Sequence, residues 1–145
     1  MENDELDRVG ADAVSTVSLT IPAKAEYVVF CRLVIVGLAR TREIEPETLA
    51  DMKLAVTEAC ANSILHAYDS EGGNVAVRFT LGAEDIAIDV EDEGRGFQRP
   101  AGGSVPYAAS ETGMGLALIA TLADDLDVSP GLAGRGSRIS FRKRL

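Results

Sequence analysis

Glu58, Asn62 and His66 recur at four-residue spacing within DMKLAVTEACANSILHAYD, residues 51–69. The apolar positions around them follow a helical and not a strand period: Met52, Val56, Ala59 with Cys60, Ser63 with Ile64, and Ala67. On a helix, side chains at i and i+4 stack on one face within reach of each other. A carboxylate, a carboxamide and an imidazole are therefore aligned among small Ala and Thr residues, where a surface helix ordinarily carries Lys, Glu and Arg. Glu58 suits a general base, and Asn62 offers a neutral oxygen to a hard cation such as Mg2+.

Two glycine motifs follow. Asp92-x-Gly94-x-Gly96 stands at the end of an apolar alternating run, and Gly113-Met114-Gly115 stands before an apolar helical run. Each has a use if the ligand is a nucleotide. A carboxylate such as Asp92 accepts a hydrogen bond from an exocyclic amine and so selects adenine. Gly94 and Gly96 allow a sharp turn and close approach of backbone to a base. A glycine loop leading into a helix offers free N–H groups and a positive dipole end to phosphates. Glu58 would then face the terminal phosphate, placed to take a proton from an attacking hydroxyl. Each motif alone is also compatible with an ordinary turn or a solvated helix; the order of the three is what is specific. The chain has no Gly-Lys-Ser/Thr of a Walker loop, and its glycines do not follow the first strand of a βαβ unit.

These residues need elements to hold them. Residues 14–21 alternate as a half-buried strand closed by Pro22, and 23–41 read as a helix with Tyr27, Phe30, Leu33, Val34 and Leu38 on its apolar side. Pro46 suits the first turn of the helix that carries Glu58. Gly72 and Gly73 mark a turn, and 75–81 with 85–91 form a hairpin around 82–84. The Pro-, Gly- and Ser-rich stretch 97–110 is long for a loop and suits a lid. A helix over 116–126, a short strand over 127–129 and a last strand over 137–143 complete the pattern.

The 145 residues suit one domain, expected over 13–145 behind a flexible acidic N-terminus at 1–12, with the lid at about 97–112. The net charge of −9 argues against sequence-independent nucleic-acid binding, which needs positive surface. Cys31 and Cys60 lie in apolar helical runs and read as buried thiols, too few for a disulfide framework. No secretory leader is visible and no apolar run is long enough to span a bilayer, so a cytoplasmic protein without a membrane segment is expected.

At these motifs the chain resembles the GHKL (Bergerat-fold) ATPases, which include histidine-kinase catalytic domains and gyrase-type ATPases. Within them it is most similar to the bacterial anti-sigma-factor serine-protein kinases. TEACANSILHAY resembles their N-box at Glu58, Asn62, His66 and Tyr68; EDEGRGF resembles the first glycine box at Asp92, Gly94 and Gly96; TGMGLALI resembles the second at Gly113, Met114, Gly115 and Leu116. Gly134-Arg135-Gly136-Ser137 resembles the last box, whose hydroxyl, here Ser137, assists the aspartate in binding adenine. The resemblance implies an α+β two-layer sandwich, a mixed, mostly antiparallel sheet with helices on one face. It implies ATP and Mg2+ as cofactors, with Glu58 catalytic and Asn62 on the metal. It implies phosphorylation of a STAS-domain anti-anti-sigma protein, sequestration of a sigma factor and a homodimer, with Arg32 at the place of a partner-contacting basic residue. Thr112 stands where some members carry arginine before Gly-Met-Gly, leaving Arg95 or Arg99 as alternative cations for the terminal phosphate. Two other readings are a nucleotide-gated binding module without phosphotransfer and a detached histidine-kinase-type ATPase domain. An intact Glu58 speaks against the first, and the lack of a preceding phosphoacceptor histidine speaks against the second.

Overall fold

A computed structural model describes residues 14–67, 73–93, 111–131 and 136–145, without the side chains at 66–67 and 111–113. Five strands form one sheet: β1 (Ser15–Pro22), β2 (Asn74–Leu81), β3 (Asp85–Asp92), β4 (Asp125–Pro130) and β5 (Ser137–Arg144). The helices are α1 (Val28–Ala39), entered through a 3-10 turn at Ala25–Tyr27, then α2 (Pro46–Ala67) and α3 (Glu111–Leu122). The strand order is β1-β2-β3-β5-β4, and every pairing is antiparallel. The mixed character expected of the sheet is therefore not present among the described strands.

Strand alternation builds the core. Val75, Val77, Phe79 and Leu81 of β2 are buried, while the residues between them are exposed or partly so. They pair in register with Asp92, Val90, Ile88 and Ile86 of β3, which share the same face. Ile139 and Phe141 of β5 extend that face from opposite Val90 and Ile88. The three helices cover it, with α2 in the middle: it packs on β3 and β5 and has α1 on one flank and α3 on the other. Met52, Ala55, Val56, Ala59 and Cys60 carry the buried stripe of α2. Pro46 opens the helix, where its missing N–H costs nothing.

Three polar ties fasten the elements to one another. Arg42, in the α1–α2 connector, donates to the carbonyls of Gly82 and Ala83 and so clamps the β2–β3 turn. The Lys143 Nζ donates to the Leu122 carbonyl at 2.7 Å, at the C-terminus of α3, and lies 3.3 Å from the Asp51 carboxylate on α2. On the open face of the sheet, Arg138 pairs with Asp89 at 2.8 Å.

The structure departs from the sequence reading in two helices. α1 turns Val28, Cys31, Ile35 and Leu38 to the core, whereas Phe30 and Leu33 are 47% and 56% exposed. Nearly every α1 residue is apolar, so periodicity gives little contrast between faces. α3 begins at Glu111 and ends at Leu122, so Gly113-Met114-Gly115 lies inside the helix and not before it. Leu126, expected in that helix, belongs to β4, where it pairs with Phe141. The antiparallel partner β5 draws 125–130 into the sheet, and its ladder replaces helical hydrogen bonds.

Candidate active site

Glu58 and Asn62 are two members of one face of α2, and α3 closes over them at a glycine. A Cβ built on Gly115 would stand 3.0 Å from Asn62 Nδ2, 3.2 Å from Asn62 Oδ1 and 3.2 Å from Glu58 Oε2. The backbone of α3 thus lies directly against both polar groups, and the absence of a side chain at Gly115 is what lets it. Glu58 is half-buried and Asn62 is only 5% exposed. The Asn62 amide nitrogen has no hydrogen-bond partner among the described residues, nor does the hydroxyl of neighbouring Ser63, 1% exposed. Buried polar groups are rarely left so, because an unsatisfied one costs about 1–3 kcal/mol. The two atoms belong to adjacent residues of α2. Ser63 was not anticipated; its only signal is a small hydroxyl in the apolar stripe directly after Asn62.

A second polar cluster is made by strand register. Asp92 closes β3 on the core-facing row and is 1% exposed. Its registered partner on β5 is Ser137. The Ser137 hydroxyl donates to Asp92 Oδ2 at 2.7 Å, and the Ser137 N–H donates to Oδ1 at 3.3 Å. The carboxylate is therefore oriented by two donors from one residue. Gly136, at φ +70°, is the hinge that permits this: a Cβ there would fall 2.0 Å from the Asp92 carbonyl oxygen. Only glycine takes that conformation with that neighbour.

The remaining sequence-derived candidates are distributed as follows. His66 belongs to the last turn of α2, and its side chain is not described. Gly113 lies in the first turn of α3, Met114 is 66% exposed, and the Leu116 side chain is buried in the core at 2%. Tyr68, Gly94, Arg95, Gly96 and Arg99 lie outside the described residues, as does most of the stretch expected to form the lid. Arg32 is exposed on α1, beside a groove of about 450 Å3 between α1 and α2 that Val29, Leu33, Lys53 and Leu54 also line.

The chain belongs to the histidine kinase-like ATPase domain family, whose model matches residues 21–143. Within it the chain groups with serine-protein kinases. It is 36% identical over 149 aligned positions to the serine-protein kinase RsbW of Bacillus pumilus (strain SAFR-032), covering 92% of this chain and 88% of that protein. It is 38% identical over 124 positions to the serine-protein kinase RsbW of Bacillus cereus (strain ZK / E33L), covering 77% of this chain and 76% of that one. Its fold is also that of a structure described as the RsbU and RsbW domains of Rv1364c from Mycobacterium tuberculosis, with a TM-score of 0.68 over 90% of this chain at 18% identity. This chain spans 32% of that longer polypeptide, so the likeness is one of fold. The α+β architecture and the ATPase family expected from the motifs are both borne out.

Proposed function

We propose that this chain is an ATP-dependent serine/threonine-protein kinase that also serves as an anti-sigma factor. It phosphorylates a STAS-fold anti-anti-sigma protein and, when that antagonist is phosphorylated, holds a sigma factor. The observation that carries the reading is the junction of Glu58, Asn62 and Gly115 between α2 and α3, and kinship with serine-protein kinases supports it.

ATP supplies the phosphoryl group, and the chain's own residues do the positioning. Glu58 orients the incoming serine or threonine hydroxyl and accepts its proton. Asn62 would hold Mg2+ through Oδ1, the neutral oxygen of its carboxamide, while its buried and unpartnered Nδ2 is a donor that an anionic oxygen would complete. Mg2+ takes few protein ligands and keeps phosphates and waters for the rest. Asp92, oriented by Ser137, accepts from the adenine amine. His66, Gly94, Gly96, Gly113, Met114, Gly115 and Leu116 line the nucleotide pocket and hold the phosphates, largely through backbone. Phosphoryl transfer leaves little covalent work for the protein, so positioning and charge carry catalysis. The ATPase domain spans 13–145, with a lid at about 97–112.

The partner face is the α1–α2 groove. Val29, Leu33 and Leu54 are 39–56% exposed there, a concentration of apolar surface that suits a contact site. Arg32 and Lys53 frame it in a chain of net charge −9, which suits an amphipathic partner segment with an acidic rim. β1 is an edge strand with Val14 and Val17 exposed beside it, which supports a homodimer formed there. Among the described residues no helix is long and apolar enough to cross a membrane, in keeping with work in the cytoplasm.

The test is phosphotransfer from ATP labelled on its terminal phosphate, with Mg2+, into a lysate of the host, followed by mass spectrometry of labelled proteins. The expected product is one small STAS-type protein labelled on serine or threonine. Glu58→Ala should lower transfer by about 100-fold or more while leaving ATP affinity within about threefold. No label alongside clear ATP binding would replace the kinase reading with a nucleotide-gated binding module. Normal transfer by Glu58→Ala would remove the assigned base.

A further inference from the structure

On the flank of α2 opposite α3 lies a pair of nucleophiles that phosphoryl transfer does not use. Cys31 of α1 and Cys60 of α2 are both 0% exposed, and their sulfurs are 3.8 Å apart, with the Cys60 thiol donating to the Cys31 sulfur. Cys60 sits midway between Glu58 and Asn62 in sequence, and two residues along a helix is more than half a turn. The thiols therefore face α1 while the polar pair faces α3.

We propose that Cys31 and Cys60 are a peroxide-oxidised dithiol whose disulfide fastens α1 to α2. The geometry requires little. A disulfide bond is about 2.05 Å long, so the two sulfurs must approach by less than 2 Å in all, within reach of side-chain rotation on two helices already in contact. The hydrogen bond also divides the roles. The donated S–H holds the Cys31 thiol below its ordinary range, and the same bond together with burial pushes Cys60 well up. Cys31 is thus the attacking sulfur and Cys60 the resolving one. The Cys31 thiolate attacks the peroxide oxygen and breaks the O–O bond, giving a sulfenic acid and releasing the alcohol, or water from hydrogen peroxide. The Cys60 sulfur then displaces the sulfenic oxygen as a second water, forming the S–S bond. Two thiols and one hydroperoxide become a disulfide, an alcohol and water.

Both sulfurs are covered, so a small oxidant reaches Cys31 through a local loosening of the seam that keeps Cys60 beside it, and the disulfide then blocks any wider opening of α1. Such a bond closes a loop of about 30 residues and limits the unfolded chain. α1 also carries the exposed Arg32, Phe30 and Leu33, so the oxidised state holds that surface rigid against the nucleotide helix. The property belongs to the α1–α2 seam and stands whether or not the chain transfers phosphate.

The experiment treats the reduced full chain with excess hydrogen peroxide, blocks remaining thiols with N-ethylmaleimide under denaturing conditions, and measures intact and peptide masses. The expected result is loss of two hydrogens, no maleimide added, a peptide pair linked through Cys31 and Cys60, and full reversal by dithiothreitol. The thermal midpoint should rise by about 5–10 °C on oxidation. Cys60→Ser should accumulate a sulfenic acid at Cys31 that dimedone traps, and Cys31→Ser should leave Cys60 unoxidised. Two maleimides added to the peroxide-treated chain, a disulfide between two chains, or irreversible oxygen addition without linkage would each overturn the proposal. Because that first measurement uses the unaltered chain, misfolding of a variant cannot decide it.

Discussion

Gly115→Ala isolates the junction between α2 and α3. The new methyl would sit 3.0 Å and 3.2 Å from the Asn62 amide atoms and 3.2 Å from Glu58 Oε2, each a few tenths of an ångström inside ordinary contact. Glu58 is half-buried and can swing, but Asn62 is 5% exposed and has little room. Overpacking of this kind costs about 1–3 kcal/mol. Replacing a helix-interior glycine by alanine returns about 1 kcal/mol. The net effect on folding should therefore be small, between neutral and about 2 kcal/mol of loss. The effect on function should be larger, because a ligand-holding group displaced by a fraction of an ångström loses about 10- to 100-fold, or about 1.4–2.7 kcal/mol. Titration calorimetry with Mg-ATP reads the affinity and thermal melting reads the fold. Affinity equal to the parent in a folded Gly115→Ala protein would refute the assignment of Asn62 and Glu58 to the nucleotide site. A melting loss that matches the affinity loss would refute the claim that the junction is functional and not structural.

Two further outcomes follow from the same geometry. Ser137→Ala removes the hydroxyl that donates to the buried Asp92 carboxylate at 2.7 Å and should cost about 1.5–3 kcal/mol in urea unfolding. It should also narrow the preference for ATP over GTP in competition binding, and an unchanged preference would detach Ser137 from base recognition. Arg32→Glu reverses a charge at the α1–α2 groove, so capture of the unphosphorylated STAS-type partner should weaken by about tenfold or more with ATP affinity unchanged. Equal capture by Arg32→Glu would move the partner surface elsewhere.

The local placement of several candidate site residues is legible in the sequence. The four-residue step from Glu58 to Asn62 needs only helical periodicity, and the helix is there from Pro46 to Ala67. Asp92 could be placed at a strand end because Ile86, Ile88 and Val90 alternate cleanly on a half-buried strand. The reading failed where contrast was low. The α1 run VVFCRLVIVGLA is apolar almost throughout, so periodicity cannot separate Phe30 and Leu33 from the inner face that Val28, Cys31, Ile35 and Leu38 occupy. It also failed at Gly113 and Gly115, which read as a loop before the helix. Glycine disfavours helix in isolation, yet here α3 needs a residue without Cβ where it crosses Asn62.

By itself the sequence determined which chemical groups are present and how they repeat along single elements, because helix and strand periods are local properties of the backbone. It determined the carboxylate and carboxamide of α2, the acid ending β3 and the two buried thiols. Tertiary structure alone decided what each of them meets. The register of β3 on β5 puts Ser137 against Asp92 across 45 positions of chain. The packing of α2 between α1 and α3 turns Glu58 and Asn62 toward Gly115 and leaves Cys60 against Cys31. Those meetings depend on which surfaces bury most together, a property of the whole chain and of no segment within it.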